Sequence, residues 1–284
     1  MIPQENLGGL EEELNGDVQN MYVELFEKGH SFYVTKFREN KIKPQYESKK
    51  IKEAVQKGYL KQFKEGEIYQ ALAIERCTHL KTDIETVFEG LKEYTHLTDK
   101  NDILQKTYLK NFRKGQTFLI EYLNRVTGIG PNYSCPGMKK AVQKGYFNNF
   151  RNGHIKDVKI LEQYTKIKYD TRLMFKGLKK FTKAEEDVVQ RAYLELFKEE
   201  RVDIESAVCL NEFTGLKPDL NFEGTNEAIE NIKFVLIAEL AFKEGYIDIT
   251  FDVCRNEHTN SFVLISEYVK ENIILQKFND LFKN

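Results

Sequence analysis

Apolar residues recur at spacings of three and four along most of the chain, and they do so in a repeated frame. VQKGYLKQFKEG (Val55 to Gly66) returns as VQKGYFNNFRNG (Val142 to Gly153). Looser copies start at Val18 (VQNMYVELFEKG), Leu104 (LQKTYLKNFRKG) and Val189 (VQRAYLELFKEE), and a worn one at Phe234 (FVLIAELAFKEG). With the first residue as offset zero, offsets 0, +4 and +8 fall within about 80° of one another at about 100° per residue. They hold Val55, Tyr59 and Phe63, and equally Val142, Tyr146 and Phe150. This predicts an amphipathic helix that Gly66, Gly115 and Gly153 end as left-handed caps.

A second helix follows each glycine: EIYQALAIERC, QTFLIEYLNRV and HIKDVKILEQY. Its end recurs as TGIGP (Thr127 to Pro131), TGLKP (Thr214 to Pro218) and the variants NKIKP from Asn40, THLKT from Thr78 and TKIKY from Thr165. A Gly or polar residue, an apolar residue and a nearby Pro make a helix stop. Each unit is therefore a helical hairpin, which cannot bury its apolar face alone and must stack on its neighbours.

Successive copies lie 37, 49, 38, 47 and 45 residues apart, and alternate copies 86, 87, 85 and 92. The longer steps hold an extra short helix, VFEGLKEY (Val87 to Tyr94) and MFKGLKKF (Met174 to Phe181). A duplicated block of about five helices accounts for this rhythm. Helix starts are expected at Thr182-x-x-Glu185 (a capping box), at Ser134 to Pro136 and at Thr225. The expected fold is all-α: a right-handed superhelix of some thirteen stacked helices, one domain over residues 1–284. Its units start near 17, 50, 99, 137, 183 and 226; residues 1–16 are expected to fray, and 261–284 to form a C-terminal capping helix.

The hairpins and their Gly-Ile/Leu-Lys-Pro turns resemble the tetratricopeptide and pentatricopeptide class of αα-solenoids, over most of residues 18–265. AVQKGYLKQFKEGEIYQALAIERCTHLKTD is similar in outline to a pentatricopeptide unit. The chain also resembles prokaryotic helical-repeat proteins built on a V-Q-x-x-Y…F-x-x-G unit. Its unit lengths are less regular than the roughly 35 residues of the pentatricopeptide family, and the tetratricopeptide Trp is absent. The resemblance implies a partner-binding superhelix.

Composition changes this picture in one respect. At 41% hydrophobic and 31% charged, the chain is too apolar for disorder. Residues 1–29 hold 1 basic and 7 acidic residues, 30–185 hold 32 and 17, and 186–284 hold 10 and 20. A basic middle between acidic ends creates an extended positive field. Offsets +2, +6 and +9 point opposite the apolar arc. In three copies they carry Lys57, Lys61, Lys64; Lys106, Lys110, Arg113; and Lys144, Asn148, Arg151. Stacking would align Lys57, Lys61, Lys64, Lys106, Lys110, Arg113, Lys144 and Arg151 into a basic ladder. It is either an ordinary solvated face or the docking surface of an anionic partner.

The Gln at offset +1 (Gln19, Gln56, Gln105, Gln143, Gln190) invites a base-reading role, but it lies inside the apolar arc. There it is expected to bond the neighbouring turn and set the stacking register. The recurrent Tyr sits at the centre of the apolar face and reads as core. The cysteines (Cys77, Cys135, Cys209, Cys254) lack C-x-x-C spacing, and the histidines are dispersed, so no metal or cofactor is expected. No phosphate-loop, nucleophile-elbow or zinc-protease motif is present, and no catalytic residue is named. No apolar run approaches the ~18 residues of a membrane span, and the first residues lack a secretory leader pattern. The reading is a cytoplasmic, non-catalytic binding scaffold that presents the ladder to an acidic protein, with no membrane partner or small-molecule substrate. The alternative is RNA or another single-stranded nucleic acid held by its phosphates.

Overall fold

The structure, a computed structural model, describes residues 5–30, 43–135, 137–198, 202–219, 221–225 and 227–228, with side chains from residue 15 on. Eleven helices and no strand occur among them: α1 (Glu5–Glu27), α2 (Lys49–Glu65), α3 (Ile68–Thr78), α4 (Ile84–Thr95), α5 (Lys100–Lys114), α6 (Thr117–Thr127), α7 (Met138–Asn152), α8 (Ile155–Thr165), α9 (Thr171–Thr182), α10 (Val188–Leu196) and α11 (Ile204–Thr214). The fold is all-α. The copy at Phe234 and the expected capping helix over 261–284 lie outside the described residues.

The chain divides into two compact units, Met1–Val142 and Gln143–Asn284. In the first, α2 packs between α1 and α4, α4 also meets α5, and α3 meets α6. In the second, α9 lies against α7 and α10, and α8 meets α11. The helix sequence α2 to α6 is repeated as α7 to α11, matching the duplicated block.

Every repeat Tyr and Phe among the described residues is core: Tyr22, Tyr59, Tyr108, Tyr146 and Tyr193, and Phe26, Phe63, Phe112, Phe150 and Phe197, are each at most 2% exposed. Gly66 and Gly115 end α2 and α5 at φ 73° and 78°, a conformation that costs a residue with a Cβ.

The recurrent Gln is a clasp. Gln105 donates its side-chain N–H to the Gly130 carbonyl at 3.1 Å and accepts the Asn132 amide at 2.7 Å. Gln19 grips Lys43 and Gln45 in the same two-point way, Gln143 grips Lys168 and Asp170, and Gln190 grips Lys217 and Asp219. Three residues on, the Tyr hydroxyl reaches the same turn: Tyr59 donates to Leu80 at 2.6 Å, Tyr193 to Leu216 at 2.7 Å, and Tyr108 and Tyr146 to Ile129 and Ile167. The turn is itself held by its Thr. Thr78, Thr127, Thr165 and Thr214 each donate to the carbonyl four residues back and accept the amide two residues on. Thus V-Q-x-x-Y on one helix and T-x-[IL] after the next are two halves of one fastening.

Gln56 makes only half of it. Its N–H donates to the Lys81 carbonyl at 2.9 Å, while its carbonyl oxygen is buried without a partner among the described residues. At about 0.5–1.5 kcal/mol per hydrogen bond, Gln143→Ala is expected to cost about 1–3 kcal/mol, and Gln56→Ala about half as much. Urea unfolding of both variants checks this. Equal or negligible losses would mean that the clasp does not hold the turn.

Two expectations are corrected. Helix α1 is formed from Glu5, so most of the stretch expected to fray is helical. Thr182-x-x-Glu185 is not a capping box. Thr182 is the last residue of α9; its hydroxyl donates to Leu178 and accepts the Ala184 amide, the recurrent stop again, and α10 begins only at Val188. The pattern of an N-cap box and that of the Thr stop coincide here. The start expected at Ser134 to Pro136 falls just ahead of Met138.

Candidate partner-binding face

The extra helices α4 and α9 pack close because glycine faces their neighbours. A Cβ on Gly90 would lie 2.4 Å from the Phe63 Cβ, and one on Gly177 would lie 2.6 Å from the Phe150 Cβ. Each extra helix therefore lies alongside the ladder-bearing helix before it.

In the first unit the ladder cations meet the chain's own groups. Lys57 pairs with Glu27 at 2.9 Å and Lys64 with Glu93 of α4 at 2.8 Å. The hydrogen bond to the carboxylate raises both ammonium pKa values above the usual lysine range, with the partner's charge adding to it. Lys61 donates to the Lys28 carbonyl at 3.3 Å, just past the end of α1, and Lys106 to the Thr95 carbonyl at 2.8 Å, the last residue of α4. A cation at a helix C-terminus satisfies orphan carbonyls and meets the negative end of the helix dipole. Lys110 is half-buried, its ammonium 3.8 Å from the centre of the Tyr94 ring, and Arg113 is exposed. In the second unit Lys144 lies 4.6 Å over the half-buried Phe147 ring and Arg151 is exposed; neither makes an ion pair among the described residues. The wheel placed these side chains on the polar face. It could not show that a preceding helix lies beside that face.

One feature of the second helices was missed in the sequence. Tyr69 on α3 and Phe118 on α6 meet edge-on at 6.0 Å, yet are 51% and 39% exposed. Beside them Arg125 pairs with Glu75 at 2.8 Å, over the ring of Tyr122. Tyr122 is buried; its hydroxyl and the second Glu75 oxygen have no partner among the described residues. Burial, then the Glu75 charge, pushes the Tyr122 pKa far above the usual phenol range. In the second block the positions of Tyr69 and Phe118 are taken by Lys156 and Glu205, which form an ion pair. The signal was there: both aromatics stand at the second position of their helices, outside the apolar arc.

No group of three or more His, Cys, Asp or Glu side chains is placed to hold a metal ion among the described residues. His79 and His96 are exposed left-handed caps of α3 and α4. No helix among the described residues is long and apolar enough to cross a membrane. Cys254 and His258 lie outside the described residues. Comparison of the chain with protein-family models, with curated proteins and with solved structures finds no match to any of them.

Proposed function

We propose that the protein is a non-catalytic binding scaffold that takes an acidic protein partner on its basic helix faces. The division of labour inside the repeat supports this reading. The recurrent Gln, Tyr and Phe, with the turn Thr of the later copies, are used in fastening and packing helix against helix. What remains for a partner is the solvent side of the helices, and the sequence over residues 30–185 carries 32 basic against 17 acidic residues. Opposed charge of this kind speeds encounter and excludes wrong partners more than it adds affinity.

The test is a titration of the full chain with a labelled Glu-rich peptide at several salt concentrations, with a single-stranded RNA of equal charge alongside. Peptide binding that weakens as salt rises is expected. Absence of peptide binding at low salt, or binding of RNA alone, would end the acidic-protein reading.

A further inference from the structure

The two blocks differ most in charge at their extra helix. Residues 87 apart in sequence are equivalent: Gly90 and Gly177 sit in the same register, each against the Cβ of the repeat Phe. At this offset Glu85, Glu89 and Glu93 of α4 become Arg172, Lys176 and Lys180 of α9. In the first block those glutamates answer lysines, Glu93 with Lys64 at 2.8 Å and Glu85 with Lys100 at 3.0 Å. In the second block the counterparts of the Lys64–Glu93 pair are Arg151 and Lys180, two cations. Neither α7 nor α9 contains an Asp or Glu. Lys179 is answered by Glu185 at 2.7 Å, whereas Arg151, Arg172, Lys176 and Lys180 make no ion pair among the described residues. Asp187, where the first block has Lys100, makes none with Arg172. Phe88 is shielded, with the Lys100 ammonium 4.8 Å over its ring, while its counterpart Phe175 is 41% exposed.

Like charges on adjoining helix faces oppose folding, and a single Glu at position 180 would relieve them. Arg172, Lys176 and Lys180 also recur every four residues, which sets them about 6 Å apart along one helix. From this geometry we infer that the α7–α9 face of the second unit, centred on Arg151 and Lys180, is the docking site for an acidic helical segment of a partner protein. Carboxylates spaced four residues apart on a helix match that row. Phe175 adds an apolar contact beside it. A nucleic-acid strand is the weaker fit, because stacking needs a series of free rings. Here Phe147 is half-buried under Lys144, and the Phe181 ring would contact a Cβ placed on Gly153.

The inference rests on the scaffold reading and is tested separately from it. The probe is an Ala-based helical peptide with Glu at every fourth position, titrated against the full chain at low salt. Lys180→Glu recreates the pair seen between Lys64 and Glu93. It is expected to leave the melting temperature equal or higher, while weakening peptide binding at least tenfold. Unchanged binding by Lys180→Glu, with loss in a Lys61→Glu, Lys106→Glu double variant, overturns this site and leaves the scaffold reading standing. Failure of the unaltered chain to bind the peptide overturns both. Tighter binding of an equally charged single-stranded RNA than of the peptide overturns the acidic partner.

Discussion

Raising the pH from about 10 to 12 is expected to remove about 4 kcal/mol of stability from each unit. Tyr59 and Tyr122 in the first unit, and Tyr146 and Tyr193 in the second, are buried, and burial pushes their phenols up, Tyr146 to about 12 and the others further. Three of them donate to turn carbonyls, a bond that a phenolate cannot make. The unfolded chain ionises near pH 10. Above that pH the unfolded state has fewer bound protons than the native state, so stability falls as pH rises. The slope approaches about 1.4 kcal/mol per pH unit for each such group only above the unfolded pKa, so between pH 10 and 12 each loses about 2 kcal/mol and two groups about 4, and this stability is fully present only below pH 10. A loss of about 4 kcal/mol is a large share of the stability of a marginal domain. Urea midpoints across this range, with phenolate absorbance recorded in parallel, are the check. Ordinary titration near pH 10 with no loss of structure would show that the hydroxyls are not enclosed. Tyr146→Phe should roughly halve the alkaline fall of the second unit, because Tyr193 remains.

Truncating the repeat Phe is expected to be as damaging at neutral pH. Phe63 and Phe150 are fully buried, and Phe→Ala at such sites costs about 3–5 kcal/mol through lost transfer energy and the cavity left behind. Phe150→Ala should sit at the upper end. Its ring lies 5.9 Å from both Tyr169 and Phe213, which are 5.1 Å apart, whereas Phe63 stacks on Tyr59 at 6.5 Å. Aromatic pairs add about 0.5–1.5 kcal/mol beyond area. Chemical denaturation reads both variants. A loss below about 1 kcal/mol in either would mean that the offset +8 residue is not core.

The repeat frame was legible because core positions obey one period and one stop. Val55, Tyr59 and Phe63 repeat as Val142, Tyr146 and Phe150, and the αL glycines follow at a fixed distance. Even the role of Gln143 could be read, since a polar residue inside an apolar arc must find a backbone partner. The Gln56 half-clasp could not, because it depends on turn geometry that residue types do not carry. The ladder was read from single helices, and its environment is set by neighbours. Lys64 meets Glu93 only because Gly90 lets α4 close on α2, and Lys110 covers Tyr94 for the same reason that α4 lies beside α5. The reversal from Glu93 to Lys180 was visible in the sequence, but it gains meaning only when the pair with Lys64 is seen.

A partner is expected to engage the cations that the duplication leaves without an ion pair among the described residues, Arg151, Arg172, Lys176 and Lys180. Lysine-reactivity footprinting of the full chain, with and without the Glu-rich helical peptide, tests it residue by residue. Lys144, Lys176 and Lys180 should be protected by the peptide, while Lys57 and Lys64, already held by Glu27 and Glu93, should react alike in both states. Protection confined to the lysines of α2 and α5, or none at Lys176 and Lys180 under conditions where the peptide is bound, would contradict it.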